Sequence, residues 1–238
     1  AQKAMMAKRA AVVVAQRELA EYLNGFALVG DTFVKDGMAQ YDVIRTSVAA
    51  FIKGAQPVFT DFSHEKNTAI AVIKYGMHGP DGFATTIYKK MFKTDKKMDE
   101  QFVKAIHEVD GKTAPAFKTK PIPVEEKFDG IIVDATEQNF RPALINRIFT
   151  QKGEIIYDPS KVSQKVLVEQ GCGEYTNSVD KARAALEQRG SKNPMIVKAS
   201  GTVTQSDLQV SDEDAVNIFS ANQKAGFFAS AKVAFVLK

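Results

Sequence analysis

Hydrophobic positions in residues 3–24, KAMMAKRAAVVVAQRELAEYLN, recur with helical spacing. Met5, Val12, Leu19 and Leu23 fall at near-heptad intervals, with alanines filling the face between them. Arg9, Gln16, Arg17 and Glu21 take the other side. Asn24-Gly25 is a helix stop. The period then changes. FALVGDTFVK (26–35) reads as a strand, and YDVIRTSVAAFIKG (41–54) as a helix closed by Gly54. QPVFTDFSHE (56–65) and NTAIAVIKYGMH (67–78) read as two strands around the polar turn HEKN. PDGFATTIYKKMF (80–92) reads as a turn leading into a short helix. This order over residues 1–92 predicts a small helix-first α+β domain, a sheet with helices on one face.

Residues 93–127 change character. A charged helical segment spans about 98–109, and the chain then runs into APAFKTKPIP, where Pro115, Pro121 and Pro123 favour an extended path without a core of its own. This stretch is the expected domain boundary, a charged and Pro/Lys-rich linker or an arm lying on a neighbouring subunit. Residues 128–238 form the second predicted α+β domain. It opens on a strand at 129–135. A hairpin follows, ALINRIFT (143–150) and EIIYD (154–158), turned at Gly153. SVDKARAALEQRG (178–190) is a helix with Ser178 as N-cap and Gly190 as stop. NPMIVKASGTV (193–203) is a strand, and SDEDAVNIFSANQ (211–223) a helix with Ser211 and Asp214 at capping spacing. The chain closes on a strand with Ala231, Val233, Phe235 and Leu237 on one face. The expected class is α+β: two small sheet-plus-helix units joined by a Pro/Lys-rich linker.

Hydrophobic residues make up 45% and charged residues 25% of the 238, the balance of a globular protein. No apolar run approaches the ~20 residues of a membrane-spanning helix. Net charge is +4. Lysines cluster in YKKMFKTDKK (88–97), without the interleaved arginines and aromatics of a nucleic-acid surface. Nucleic acid is therefore not an expected partner. Cys172 stands alone, which excludes an intrachain disulfide and a cysteine-based zinc site. The chain starts Ala1-Gln2, as a mature chain does after signal cleavage behind a small residue, and as a trimmed start also does.

The candidate chemistry is sparse. VLVEQGCGEYTNS (166–178) reads as a strand meeting Gly171-Cys172-Gly173, but the next glycine of a dinucleotide fingerprint would fall at Thr176, and the helix cap arrives only at Ser178. Helix amides then come too late to hold a pyrophosphate. No phosphate-loop motif, nucleophile elbow or H-x-x-x-H pair occurs. His64, His78 and His107 fall in separate elements. No catalytic, cofactor or metal residue is assigned. Asp134, at the end of an apolar run, with Arg141 and Tyr157, forms the one candidate structural or ligand-contact cluster. A strand-end Asp also accepts backbone N–H groups of the following turn.

AKRAAVVVAQRELAEYLNGFAL, through Arg9, Ala10, Ala11, Ala15, Arg17, Leu19, Glu21 and Gly25, resembles the opening of the bacterial small outer-membrane lipoprotein (Lpp-twenty) group. That group includes the flagellar basal-disk lipoprotein, and it resembles the N-terminal domain of a periplasmic flagellar-ring protein. RPALINRIFTQKGEIIYDPSKV, NPMIVKASGTVTQSDLQVSDEDA and AKVAFVL are similar to the C-terminal part of related uncharacterised exported proteins. Ala1 departs from the pattern, since such lipoproteins begin on a lipid-bearing cysteine. The resemblance implies an exported, non-enzymatic envelope protein, in the periplasm or at the cell surface, that self-associates into a ring, disk or filament. Other envelope or flagellar components are implied partners. Pro115, Phe117, Pro121 and Pro123 mark the expected assembly arm, which would add a strand to a neighbour's sheet. The alternative is a monomeric periplasmic binding module for a small ligand or envelope glycan.

Overall fold

The computed structural model describes residues 2–33, 42–94 and 97–238. Ala1, residues 34–35 of the expected strand, Tyr41 at the start of the expected helix, and residues 95–96 of the lysine cluster lie outside the described residues. The class is mixed α+β. Helix α1 (Gln2–Asn24) is followed by a short hairpin, β1 (Ala27–Val29) and β2 (Thr32–Phe33). Next come α2 (Asp42–Gly54) and the hairpin β3 (Pro57–Ser63) and β4 (Thr68–Ile73). Helix α3 (Phe83–Met91) leads into β5 (Phe92–Thr94) and β6 (Lys97–Met98). Helix α4 (Glu100–His107) leads into β7 (Glu108–Val109) and β8 (Lys112–Thr113).

The β3–β4 hairpin lies against α1, and the contact is made by small residues. Ala4, Ala7, Ala11, Val12, Ala15, Leu19 and Ala20 are half-buried, and only Leu23 is fully buried. Two positions depart from the expected faces. Met5 is exposed. Gln16 turns inward, and its amide donates to the Ala55 carbonyl at 3.0 Å. An alanine stripe lets the backbones approach closely, so the long Met5 side chain is displaced and a polar Gln16 fits where it caps the end of α2.

The second half begins at β9 (Gly130–Asp134), β10 (Arg147–Thr150) and β11 (Ile155–Tyr157), with α5 (Gln164–Gln170) and β12 (Glu174–Thr176) after them. Then follow α6 (Val179–Gln188), β13 (Pro194–Lys198), β14 (Gly201–Thr204), β15 (Asp207–Val210), α7 (Asp212–Ala225) and β16 (Val233–Val236). Two four-stranded sheets result, in the orders β12-β16-β9-β13 and β11-β10-β15-β14. All pairs in the first are parallel, with Ile132 of β9 opposite Ala234 of β16 and Ile196 of β13. In the second, β10 runs parallel to β15 and antiparallel to β11, while β14 and β15 are antiparallel.

A parallel sheet buried on both faces needs uninterrupted apolar strands. GIIVD supplies one. Ile132, Ala234 and Val236 face Ala182 and Leu186 of α6, while Ile131, Val133, Val233 and Phe235 face the main core. The closing strand is therefore buried throughout, where alternation had suggested a single apolar face. The main core is continuous across the chain. Ile44 and Val48 of α2, Phe83 and Ile87 of α3, and Phe102 and Ile106 of α4 join Ile131, Val133 and Ile148 in it. The charged segment after residue 92 thus contributes an amphipathic helix that buries Phe102 and Ile106, with Asp99 as its N-cap, accepting from the Gln101 N–H.

The expected strand at 166–170 is instead helix α5. Ser163 caps it, accepting from the Val166 N–H, and Gly171 ends it at φ +75°. The run Val-Leu-Val is too short for periodicity to separate helix from strand, and the cap and stop decide. Gly171 also leaves room for the His78 ring, whose Cε1 would lie 2.4 Å from an added Cβ. At Gly173 an added Cβ would meet the Phe235 ring at 2.9 Å. The glycines around Cys172 thus serve a helix stop and close packing.

Candidate functional site

Asp134 sits at the carboxyl end of β9, where its Oδ1 accepts from the Thr136 N–H at 3.1 Å and the Thr136 hydroxyl at 2.7 Å. Those bonds, the hydroxyl first, hold its carboxyl below the usual range. Arg141 is exposed, and its backbone N–H donates to the Gln205 carbonyl at 2.6 Å. Tyr157 belongs to the other sheet and is fully buried, its hydroxyl donating to the Cys172 carbonyl at 2.5 Å. Asp134 makes a turn, Arg141 faces solvent and Tyr157 satisfies a buried carbonyl, so their hydrogen bonds do not converge on one pocket.

The arm residues lie on their own chain. The Ile155 N–H donates to the Pro115 carbonyl, and the Phe117 N–H to the Ile155 carbonyl, both at 2.8 Å. Phe117 meets Phe219 of α7 edge to face. Beyond Pro121, the Ile122 N–H donates to the Ser220 hydroxyl at 3.0 Å. Flanking Pro123, the Val124 carbonyl accepts from Lys224 Nζ at 3.1 Å. The strand-edge pairing expected between subunits is made here within one molecule.

The chief buried polar cluster escaped the sequence reading. Arg147 and Asp207 are in register on the parallel strands β10 and β15. Arg147 is 2% exposed and Asp207 0%. The guanidinium binds both carboxylate oxygens, Nε to Oδ1 at 2.8 Å and Nη2 to Oδ2 at 2.5 Å. Nη1 donates to the Ile106 and Glu108 carbonyls at 2.7 and 2.9 Å, and Thr204 donates to Asp207 at 2.7 Å. Arg147 thereby satisfies the carbonyl end of α4, where a cation is favoured by the helix dipole. Sixty residues of sequence separate the partners, so no local spacing signalled them.

Arg147 forms one end of a cavity of about 250 Å³ between the β1–β2 hairpin, α2, α3, α4 and the second sheet. Leu28, Ile44, Met91, Phe102, Ile106 and Ile145 make its apolar walls, and Asp31, Glu108 and Asp110 also line it. A smaller cavity of about 110 Å³ lies by Cys172, Tyr88, Tyr175 and His78. Around it the irregular segment 143–146 is held by side chains. Tyr88 donates to the Leu144 carbonyl, as does Cys172 Sγ at 3.2 Å, and Tyr175 bonds Ala143 and Asn146. Burial pushes the Cys172 thiol up and the Tyr88, Tyr157 and Tyr175 hydroxyls well above their usual range. A nucleophilic thiol needs the reverse, an accessible site that favours the thiolate.

His107 Nε2 and Asp158 Oδ2 face each other at 3.4 Å, outside hydrogen-bond geometry, and neither atom has another partner. Burial raises the Asp158 carboxyl, but His107, the Ser160 side chain and Lys161 outweigh it and hold it below the ordinary range. Among the described residues, no three His, Cys, Asp or Glu side chains gather as a metal site requires. No described helix is long and apolar enough to cross a membrane.

The surface carries a more localised feature. Eleven large hydrophobic residues are exposed among the described residues, and nine lie on the α1–hairpin unit: Met5, Met6, Val13, Val14, Tyr22, Val58, Phe59, Ile70 and Val72. Isolated exposed apolar side chains are ordinary, whereas contiguous apolar patches mark interaction surfaces.

Comparison with known families bears on the second half. Residues 130–238 match the model of the Treponema pallidum Tp0624 second domain. The match opens at β9 and runs through β16, taking in both four-stranded sheets. It touches neither α1 nor the hairpin. No curated protein matches the chain.

Proposed function

We propose that the protein is a non-enzymatic structural component of the bacterial envelope, exported to the periplasm or cell surface, and that it self-assembles through its N-terminal helix–hairpin unit. The observation that carries this reading is the gathering of exposed Met6, Val13, Phe59, Ile70 and Val72 on that unit. Apolar surface of this kind is costly in water and is relieved by association. The resemblance of residues 7–28 to the Lpp-twenty group supports an envelope setting and flagellar or other envelope partners. The test is particle mass by light scattering, with electron microscopy on the same fractions. Rings, disks or filaments uphold the reading; a monomer of 26.1 kDa at every concentration defeats it.

A second reading rests on the 250 Å³ cavity, whose apolar walls and polar end suit a small ligand. It makes the chain a periplasmic binding module for a small molecule or envelope glycan. A ligand that binds only the folded state raises the melting temperature, so a thermal-shift screen of small amphiphiles and glycan fragments separates this reading from assembly.

A further inference from the structure

We propose that copies of this chain stack head to tail, the outer face of α1 in one copy covering the outer face of the β3–β4 hairpin in the next. The inference rests on the self-assembly reading above and specifies its contact.

Helix and hairpin form a two-layer unit with apolar surface on both outsides. On α1, which packs on the hairpin, Ala4, Ala7, Ala11 and Ala15 are half-buried along one side, so Met6, Ala10 and Val13, at 3–4 residue spacing, line the opposite side. Met6 is 61% and Val13 64% exposed. In the hairpin, Thr60, Phe62, Ala69 and Ala71 are half-buried, while Phe59, Asp61, Ile70 and Val72 are exposed. Register sets Phe59 beside Val72 and Asp61 beside Ile70, which makes one continuous outer patch. The two patches lie on opposite sides of one unit and cannot cover each other within a molecule. A contact between unlike patches covers both, and each copy then still offers one of each, the condition for a ring or an open filament.

Charge weighs against pairing two hairpin faces and favours helix on hairpin. The apolar stripe of α1 is bracketed by Lys3 at one end and by Arg17, Glu18 and Glu21 at the other, with Arg9 beside it, all exposed. Two hairpin faces packed together enclose two Asp61 carboxylates in one apolar patch. Helix on hairpin instead brings Asp61 to the cations. A seven-residue strand spans about 23 Å, so one contact covers a few hundred Å² per partner, the low end for specific interfaces. Each step is therefore weak, and assembly is reversible and concentration-dependent.

The test uses two full-length variants, Val13→Asp on the helix face and Ile70→Asp on the hairpin face. Both sites are exposed, and circular dichroism checks that folding is unchanged. In sedimentation velocity each variant alone is expected to be monomeric, because each lacks one half of the contact. An equimolar mixture is expected to form a 1:1 dimer and stop there. In the same assay Arg17→Glu and Asp61→Lys each weaken association of the full-length chain by about fivefold, the scale of one partly exposed ion pair, and together restore it. Ile70→Asp that still dimerises alone means helix-on-helix pairing, and Val13→Asp that does so means hairpin-on-hairpin pairing. Either overturns the stacking proposal and leaves self-assembly standing, as does a mixture that stays monomeric while the unaltered chain associates. An unaltered chain that is monomeric throughout, or that only binds phospholipid vesicles, overturns both.

Discussion

Arg147→Met removes four hydrogen bonds at once, two to Asp207 and two to the Ile106 and Glu108 carbonyls. The Asp207 carboxylate, 0% exposed, then keeps the Thr204 hydroxyl as its remaining side-chain donor. Breaking a buried ion pair from one side costs about 3–5 kcal/mol, because the other charge is left without compensation. Against a total stability of about 5–15 kcal/mol, this is a large fraction. Replacing both partners, with Arg147→Met and Asp207→Leu together, removes the stranded charge. What remains is the loss of donors to two carbonyls, about 1–3 kcal/mol each. The double variant is therefore expected to be no less stable than Arg147→Met alone, although it carries one more substitution. The chain has no tryptophan, so urea unfolding is followed by far-ultraviolet circular dichroism. With a slope of about 2 kcal/mol/M, the single variant shifts the midpoint down by roughly 1.5–2.5 M. A shift within about 0.5 M, or a double variant whose loss equals the sum of the two single losses, refutes the reasoning.

Other outcomes follow from single polar groups in and around the core. Cys172, 4% exposed with its thiol pushed up by burial, is expected to resist alkylation in the native state and to react on unfolding; rapid native labelling at neutral pH contradicts the packing. Tyr157→Phe leaves the Cys172 carbonyl without its 2.5 Å donor and should cost about 1–3 kcal/mol in urea unfolding. Acid lowers stability in two stages. His78 keeps an exposed edge, yet partial desolvation and then Arg189 depress its folded pKa, so its contribution is present above the unfolded value of about 6.5 and is lost as pH falls toward the folded value. Asp129, Asp134 and Asp158 are also depressed, and their contributions are lost as pH falls below about 4. On the alkaline side Tyr88, Tyr157 and Tyr175 are raised, so their contribution holds up to about pH 10 and is lost as pH rises through the folded values. Melting temperatures across pH 3–11 check all three windows, and His78→Gln should flatten the one beginning near pH 6.5.

Local signals in the sequence carried much of the fold. Ser178 caps α6, and Ser211 exchanges hydrogen bonds with Asp214 at the start of α7, both from spacing alone. Gly153 turns the β10–β11 hairpin at φ +80°, and Asp134 closes its strand by bonding to Thr136. Each of these motifs acts within four residues, where sequence spacing is spatial spacing. What was not legible depends on long-range pairing. The parallel registers of β9, β16 and β13 join segments about 60 to 100 residues apart along the chain. Arg147 was invisible as a site because its partners are Asp207 and the carbonyls of α4, while Arg141, nearer Asp134 in sequence, faces solvent. Gln16 and Met5 exchanged their expected faces because the alanine stripe, a packing property, sets the rotation of α1. His107 and Asp158 meet only because α4 lies in the same core as β11.

The measurement that bears most directly on the account is sedimentation velocity of the unaltered chain beside a variant carrying both Val13→Asp and Ile70→Asp, over a wide concentration range. The account predicts that the unaltered chain rises above 26.1 kDa with concentration, while the variant stays at that mass. Identical behaviour of the two, whether both remain monomeric or both associate, would contradict assembly through the helix–hairpin unit.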